Sequence, residues 1–257
     1  MTRVAPAGSR LLQITDTHLF ADPSAQLAGV NVEQRFEATL AAMTPWARTA
    51  SGLLHTGDLV HDGSVAGYQR LRQRLETLAL PGRVTPGNHD DRARLQSVFA
   101  GGRVTAERLL HLGNWCIVML DSLVSGEVAG HLPARELTAL ADALAATDAA
   151  HVLLALHHQP LAVGTAWLDA IGLDNADALM ARIAAEPRIR AVVFGHVHHA
   201  VDREVAGCRY LATPASAAQF LAGADQFTID RSAPGFRWLD LLPDGAINTA
   251  VEIVAHD

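Results

Sequence analysis

Leu11-Leu12-Gln13-Ile14-Thr15-Asp16-Thr17-His18 is a short apolar run that ends in a carboxylate and an imidazole two residues apart. The run reads as a strand. Just past a strand, residues i and i+2 point to the same side, so Asp16 and His18 can grip one ion together. The same arrangement recurs four times downstream. Leu53-Leu54 leads to Gly57-Asp58, and Val84 leads to Gly87-Asn88-His89-Asp90. The run at 151–156 leads to His157-His158, and the run at 191–194 leads to Gly195-His196-Val197-His198. Donor groups at the ends of several strands converge on one edge of a sheet, where open α/β sheets put their chemistry.

Helical patterns lie between these runs. Asn31, with Gln34 three residues on, starts a helix running toward residue 50, with Pro45 as a kink or break. Ser64 caps a helix through residue 78 that has Tyr68, Leu71, Leu75 and Leu78 on one face. Residues 90–99 form a shorter helix; Asp90 and Asp91 are both candidate caps, Asp91 the better one. The β-rich run at 115–120 ends at Asp121-Ser122, read as a turn cap. Pro133 opens a helix through residue 146, and another spans about 174–185. The strand runs are nearly all apolar, as expected for strands covered on both faces. The order β-α-β-α argues for a layered α/β domain. After residue 200 the segments are short and turn-bounded, with Ala206-Gly207 and Pro243-Asp244-Gly245 as turns. The expectation is one domain over 1–257, with a catalytic core at 10–200 and a β-rich tail at 201–257 completing the second sheet.

With 257 residues, 49% of them hydrophobic, the chain can bury a sizeable core. Its net charge of −7 and the lack of a basic stripe argue against a nucleic-acid polymer as partner. No window approaches the length of a membrane span, and residues 1–10 lack a signal-peptide core, so a cytoplasmic protein is expected. Cys116 and Cys208 follow no zinc or redox spacing and read as small core residues. Of the 13 histidines, seven fall in or beside the five blocks: His18, His89, His157, His158, His196, His198 and His199. His199 reads as a loop residue, and His55, His111, His131, His151 and His256 as structural or surface residues.

Asp16, Asp58, the amide oxygen of Asn88 and the imidazoles of His18, His157, His196 and His198 form a mixed oxygen and nitrogen donor set. It suits Mn, Fe, Zn or Co, and fits neither a thiolate zinc site nor an all-oxygen calcium site. Asp58 has two oxygens and can bridge two metals.

Asp-x-His, Gly-Asp, Gly-Asn-His-Asp, His and Gly-His-x-His, in that order over residues 16–198, resemble the calcineurin-like metallophosphoesterase superfamily. The resemblance implies a four-layer αββα sandwich with mixed sheets that holds two metals. Fe or Mn lead, with Zn, Co and Mg as further options. Asp16, His18, Asp58 and His198 would surround the first metal, and Asp58, Asn88, His157 and His196 the second. The flanks Thr15–Leu19, His157-His158-Gln159-Pro160, Trp167-Leu168-Asp169 and Pro234-Gly235-Phe236-Arg237-Trp238 are similar to the class III, CpdA-type bacterial cyclic nucleotide phosphodiesterases. That likeness implies hydrolysis of 3′,5′-cyclic AMP to 5′-AMP by in-line attack of a metal-bridging hydroxide. His89 and Asn88 are the candidate catalytic residues, His89 as general acid to the leaving oxygen. His89, His198, Asn88 and His158 are the candidate substrate contacts, although His158 reads equally as a supporting hydrogen-bond partner. A homodimer is a further expectation of the likeness. Alternatives are a broader phosphodiesterase or phosphomonoesterase, acting on a glycerophosphodiester or a 2′,3′-cyclic nucleotide, and a non-catalytic scaffold. Scaffolds of this kind lose ligands, and this chain retains them all.

One position departs from the pattern. Many superfamily members carry an Asp three residues after the bridging Asp, where it orients the catalytic His. Here that position is His61, and the carboxylate comes one later, at Asp62. Either one is a candidate to orient His89. Trp167, Leu168 and Phe220 are candidates for a base pocket or for the core.

Overall fold

Apolar runs without a polar face need cover on both sides, and the chain supplies it by stacking two sheets between two layers of helices. The computed structural model describes residues 8–255; His256 and most of the stretch 1–10 fall outside them. The chain runs β1 (Ser9–Ile14), β2 (Gln26–Leu27), β3 (Val30–Asn31), α1 (Val32–Ala47), β4 (Gly52–Thr56), α2 (Val65–Glu76), β5 (Gly82–Thr85) and α3 (Arg92–Val98). It continues through β6 (Val104–Thr105), β7 (Leu109–Leu112), β8 (Trp115–Met119), α4 (Ala134–Ala146), β9 (His151–Ala155), α5 (Ala166–Asp169), α6 (Ala176–Ala185) and β10 (Ile189–Phe194). The tail adds β11 (Val201–Val205), β12 (Cys208–Ala212), β13 (Gln219–Phe220), β14 (Ile229–Asp230), β15 (Gly235–Leu241) and β16 (Ile247–Ile253).

Two mixed six-stranded sheets result, ordered β16-β15-β1-β4-β5-β6 and β11-β12-β10-β9-β8-β7. Strands β1, β4 and β5 are mutually parallel, as are β8, β9 and β10. Three apolar cores separate the four layers. Leu12, Ile14 and Leu53 of the first sheet pack with Phe36, Tyr68 and Leu71 of its helices. Leu11, Leu54, Trp115, Leu153 and Val193 fill the space between the sheets. Val118, Leu154 and Phe194 of the second sheet pack with Leu140, Leu179 and Ile183. The sandwich is the α/β fold expected. Among the described residues no helix is long and apolar enough to cross a membrane.

The local signals behave as their chemistry requires. The side chains of Asn31, Ser64 and Asp91 accept the backbone N–H of Gln34, Gly67 and Arg94. Pro45 does not break α1; it gives up one backbone N–H bond, and the helix ends two residues later, at Ala47. Cys116 and Cys208 are buried free thiols. The tail, however, does not simply complete the second sheet. Strand β12 joins β10 there, but β15 pairs antiparallel with β1, and β16 follows it into the first sheet. The physical reason is the open edge of β1. Phe236 on one face of β15 packs into the helix-side core, while Leu239 and Leu241 on the other face enter the core between the sheets. A strand apolar on both faces fits only a doubly covered sheet.

Candidate metal centre

All five donor blocks follow the C-terminal ends of parallel strands. Asp16 and His18 follow β1, Asp58 follows β4, Asn88 follows β5, His157 follows β9, and His196 and His198 follow β10. The two sheets therefore deliver their donors to one rim. The loops are locked there by backbone bonds from Asp16 N to the Gly57 carbonyl and from His18 N to the Asp58 carbonyl, at 3.1 and 3.0 Å.

The backbone at these donors is unusual. Asp16, His18, Asp58, His196 and His198 all have positive φ, between 46° and 66°. Non-glycine residues avoid this region at a cost of roughly 1–3 kcal/mol each, and such strain collects at functional sites. The neighbouring glycines make room. A Cβ at Gly57 (φ +97°) would come within 2.3 Å of the His157 ring, and one at Gly195 within 2.1 Å of Thr15 Oγ1. Gly195 thus gives Thr15 and Asp16 space rather than merely easing a turn.

The side chains meet inside this frame. His198 Nε2 lies 3.2 Å from Asp16 Oδ1 and 3.2 Å from His18 Nε2. Asp58 Oδ2 stands between two clusters, 3.5 Å from His18 Nε2 and 3.3 Å from His157 Nε2. His157 Nε2 is also 3.2 Å from the Asn88 amide oxygen. His198 donates Nδ1–H to the Ala218 carbonyl at 2.6 Å, and His157 donates Nδ1–H to the Thr56 carbonyl at 2.8 Å. Both rings therefore turn Nε2 inward, the outer-nitrogen arrangement typical of metal-binding histidine. Backbone N–H groups of His196 and His89 donate to Asp16 and Asp58.

The electrostatics match a cation site. Burial pushes the Asp16 carboxyl up, but His198 and His157 together outweigh it and hold the group at about 2. Asp58 is likewise buried, and His157 and His18 hold it well below the usual carboxylate range. Burial takes His196 down to about 3 and His18 well below its ordinary value. These groups thus sit in the ligand-competent forms, anionic carboxylate and neutral imidazole. His157 differs: burial opposes its protonation, but the Asp58 carboxylate prevails and lifts it to about 9. A proton held there marks the negative potential a cation would meet.

The donors fit a metal pair by a further observation. Among the described residues His196 Nε2 is buried with no hydrogen-bond partner, which leaves that nitrogen free for a cation. Asp16, His18, Asp58 and His198 offer atoms within 4.8 Å of one another, and so do His157, His158 and His196. His158 belongs to the second group by distance but has both nitrogens engaged. Its Nε2–H donates to the Val128 carbonyl at 3.0 Å, and Nδ1 accepts from Ser122 Oγ at 2.8 Å. Ser122 is thus a partner of His158 rather than a simple turn cap.

Around this centre, exposed His89 stands at the mouth. A cavity of about 470 Å³ opens beside it, lined by His61, Asp91, Arg94, Leu123 and Ser125 among others. A larger open groove of about 690 Å³ between α2 and α3 contains none of the donors. Asp62 does not reach His89; its carboxylate accepts the backbone N–H of Ala21 and Ser64. His61 lies on His89 instead, with ring centres 4.3 Å apart and planes 21° from parallel. Phe220 covers the other flank, flat on His198 at 3.9 Å, with Trp167 edge-on to it.

One important residue has a role that the pattern does not spell out. Asp90 does not cap α3. It accepts N–H from Leu59, Val60 and Gly87 and the hydroxyl of Tyr68, tying the Asp58 loop to the Asn88 loop. Burial, reinforced by nearby Asp58, lifts its carboxyl to about 7. Only its place at the end of the Gly-Asn-His-Asp block hints at this.

Residues 9–200 match the calcineurin-like phosphoesterase family. The chain is 36% identical over 253 residues to the 3′,5′-cyclic adenosine monophosphate phosphodiesterase CpdA of Pseudomonas aeruginosa, covering 98% of this chain and 93% of that protein. Its identity to the Escherichia coli K12 protein of the same name is 38% over 247 residues, covering 96% and 90%. A dimetal phosphatase from Danio rerio superposes with a TM-score of 0.71 at 14% identity, covering 97% of this chain and 100% of that one, a likeness of fold.

Proposed function

The chain belongs to the calcineurin-like phosphoesterase family, and from that premise we propose that it hydrolyses 3′,5′-cyclic AMP to 5′-AMP at a two-metal centre. Asp16, His18, Asp58 and His198 would hold one cation, and Asp58, Asn88, His157 and His196 would hold the other. The observation that carries the chemistry is the position of Asp58 Oδ2, within 3.5 Å of His18 and 3.3 Å of His157. One carboxylate thus serves both clusters. The substrate rests on the CpdA relatives, whose likeness spans nearly the whole chain.

Two cations, when bound, supply Lewis acidity toward the phosphoryl oxygens and an ionised water as nucleophile. The protein supplies the rest. Asp58 fixes the separation of the two positions, and its other oxygen, Oδ1, takes the His89 N–H at 2.9 Å. Asn88 and His198 meet the phosphoryl group from the rim. His89, exposed and with no hydrogen bond to its ring among the described residues, delivers a proton to the leaving oxygen. As the bond from phosphorus to O3′ breaks, its electron pair takes that proton, and the oxygen added to phosphorus comes from water. His158, with its nitrogens engaged by Ser122 and Val128, packs its ring against His157 and His196 at 4.8 and 4.7 Å.

The mixed oxygen and nitrogen donors suit Mn, Fe, Zn or Co, and the likeness to the family puts Fe or Mn first. We assign the enzyme to the cytoplasm and expect a homodimer, which light scattering would check. Purified protein given 3′,5′-cyclic AMP, a 2′,3′-cyclic nucleotide, a glycerophosphodiester and a phosphomonoester should show its highest kcat/KM on the first. A higher value on any of the others would overturn the substrate assignment.

A further inference from the structure

We propose that His61 is a positioning residue that couples the first metal position to the pose of His89. Three contacts carry the inference, which rests on the phosphodiesterase reading above. The His61 ring stacks on His89 at 4.3 Å and 21°. Its Nδ1 lies 3.1 Å from Nδ1 of His18, whose Nε2 faces Asp58 and His198. Phe20 packs against His61 at 4.9 Å, so the ring is held from another side.

The tautomers follow from these contacts. A His18 that offers Nε2 to a cation carries its proton on Nδ1 and donates it to His61 Nδ1. His61 is then the acceptor that fixes the His18 ring, as outer partners of metal-binding histidines do. The same imidazole presents its face to His89, whose ring has no hydrogen bond of its own among the described residues. The His89 ring is therefore restrained by its flat stack on His61 and by the edge of His18, 5.0 Å away, and nearby Asp62 is spent on Ala21 and Ser64. One side chain thus has two separable duties, a hydrogen bond to a ligand and a platform for the proton donor.

Two substitutions separate them. His61→Phe keeps the platform and removes the acceptor. His61→Asn keeps a polar atom near the Nδ1 position and removes the platform. Calorimetric titration of chelated protein with Mn²⁺ should show affinity weakened about 10- to 100-fold in His61→Phe and close to wild type in His61→Asn. Turnover at saturating Mn²⁺ should show the converse. In His61→Asn, kcat on 3′,5′-cyclic AMP, whose alkoxide leaving group needs a proton, should fall at least about 10-fold more than kcat on a 4-nitrophenyl phosphodiester, whose leaving group does not. In His61→Phe the two substrates should fall by the same factor. Equal losses on both substrates in His61→Asn, or wild-type Mn²⁺ affinity in His61→Phe, would overturn the proposal. Failure of the wild-type protein to hydrolyse cyclic AMP would instead overturn the functional reading, and the Mn²⁺ titrations do not depend on it.

Discussion

At the scale of single residues, the centre trades backbone comfort for donor placement. Five donors sit at positive φ, and Gly57 leaves the volume that the His157 ring occupies. Gly57→Ala is therefore expected to destabilise the fold by roughly 1–3 kcal/mol, through φ +97° and the blocked ring. Urea unfolding checks this, and an unchanged midpoint would contradict it. Asn88→Ala should lower kcat by roughly 10²-fold or more, the order expected for losing a group that meets transition-state charge. Steady-state kinetics on cyclic AMP test that loss. The candidate donors were legible in the sequence as a set that the fold brings together, because their types and strand-end positions are local properties. Asp90 was not, because its role is to accept N–H groups from a loop some 30 residues away. The stacking of His61 on His89 was hidden for the same reason: the sequence showed a departure at that position, not where the ring would lie.

At the scale of elements, short-range rules carried far. The caps at Asn31, Ser64 and Asp91 each act within three residues and are as the sequence suggests. Strand partnership is a long-range choice, and there the sequence was mute. Both hairpins of the tail are turn-bounded in the same way, yet β11 and β12 enter one sheet and β15 and β16 the other. The difference lies in two-sided burial, with Phe236 facing one core and Leu239 the other. Strand β7 and the short helix α5 also leave little mark in the sequence, for each is four residues long. If β15 closes the edge of β1 as described, Phe236→Ala should cost about 3–5 kcal/mol, as large-to-small changes in a core do. A loss below about 1 kcal/mol in denaturant unfolding would mean that β15 is dispensable to the first sheet.

At the scale of the whole molecule, stability and function share the rim where the sheets meet. His55 is buried behind it, with Nε2 3.0 Å from Thr17 Oγ1, and burial holds it at about 3 against an ordinary 6.5. Below pH 6.5 the unfolded chain binds a proton at this position that the folded chain refuses, so stability falls as pH drops from 6.5 toward 3. His55→Gln should remove up to about 1.4 kcal/mol per pH unit from that slope. Identical slopes for wild type and variant between pH 6.5 and 5 would contradict the assignment. The central claim, that two cations bridged by Asp58 make this chain a cyclic AMP phosphodiesterase, is tested most directly by one titration. Chelated protein is given Mn²⁺ stepwise while the products formed from 3′,5′-cyclic AMP are separated and identified. The account predicts turnover that rises until two equivalents are bound, with 5′-AMP as the product. Turnover by the chelated protein, saturation at one equivalent, or 3′-AMP as the product would contradict it.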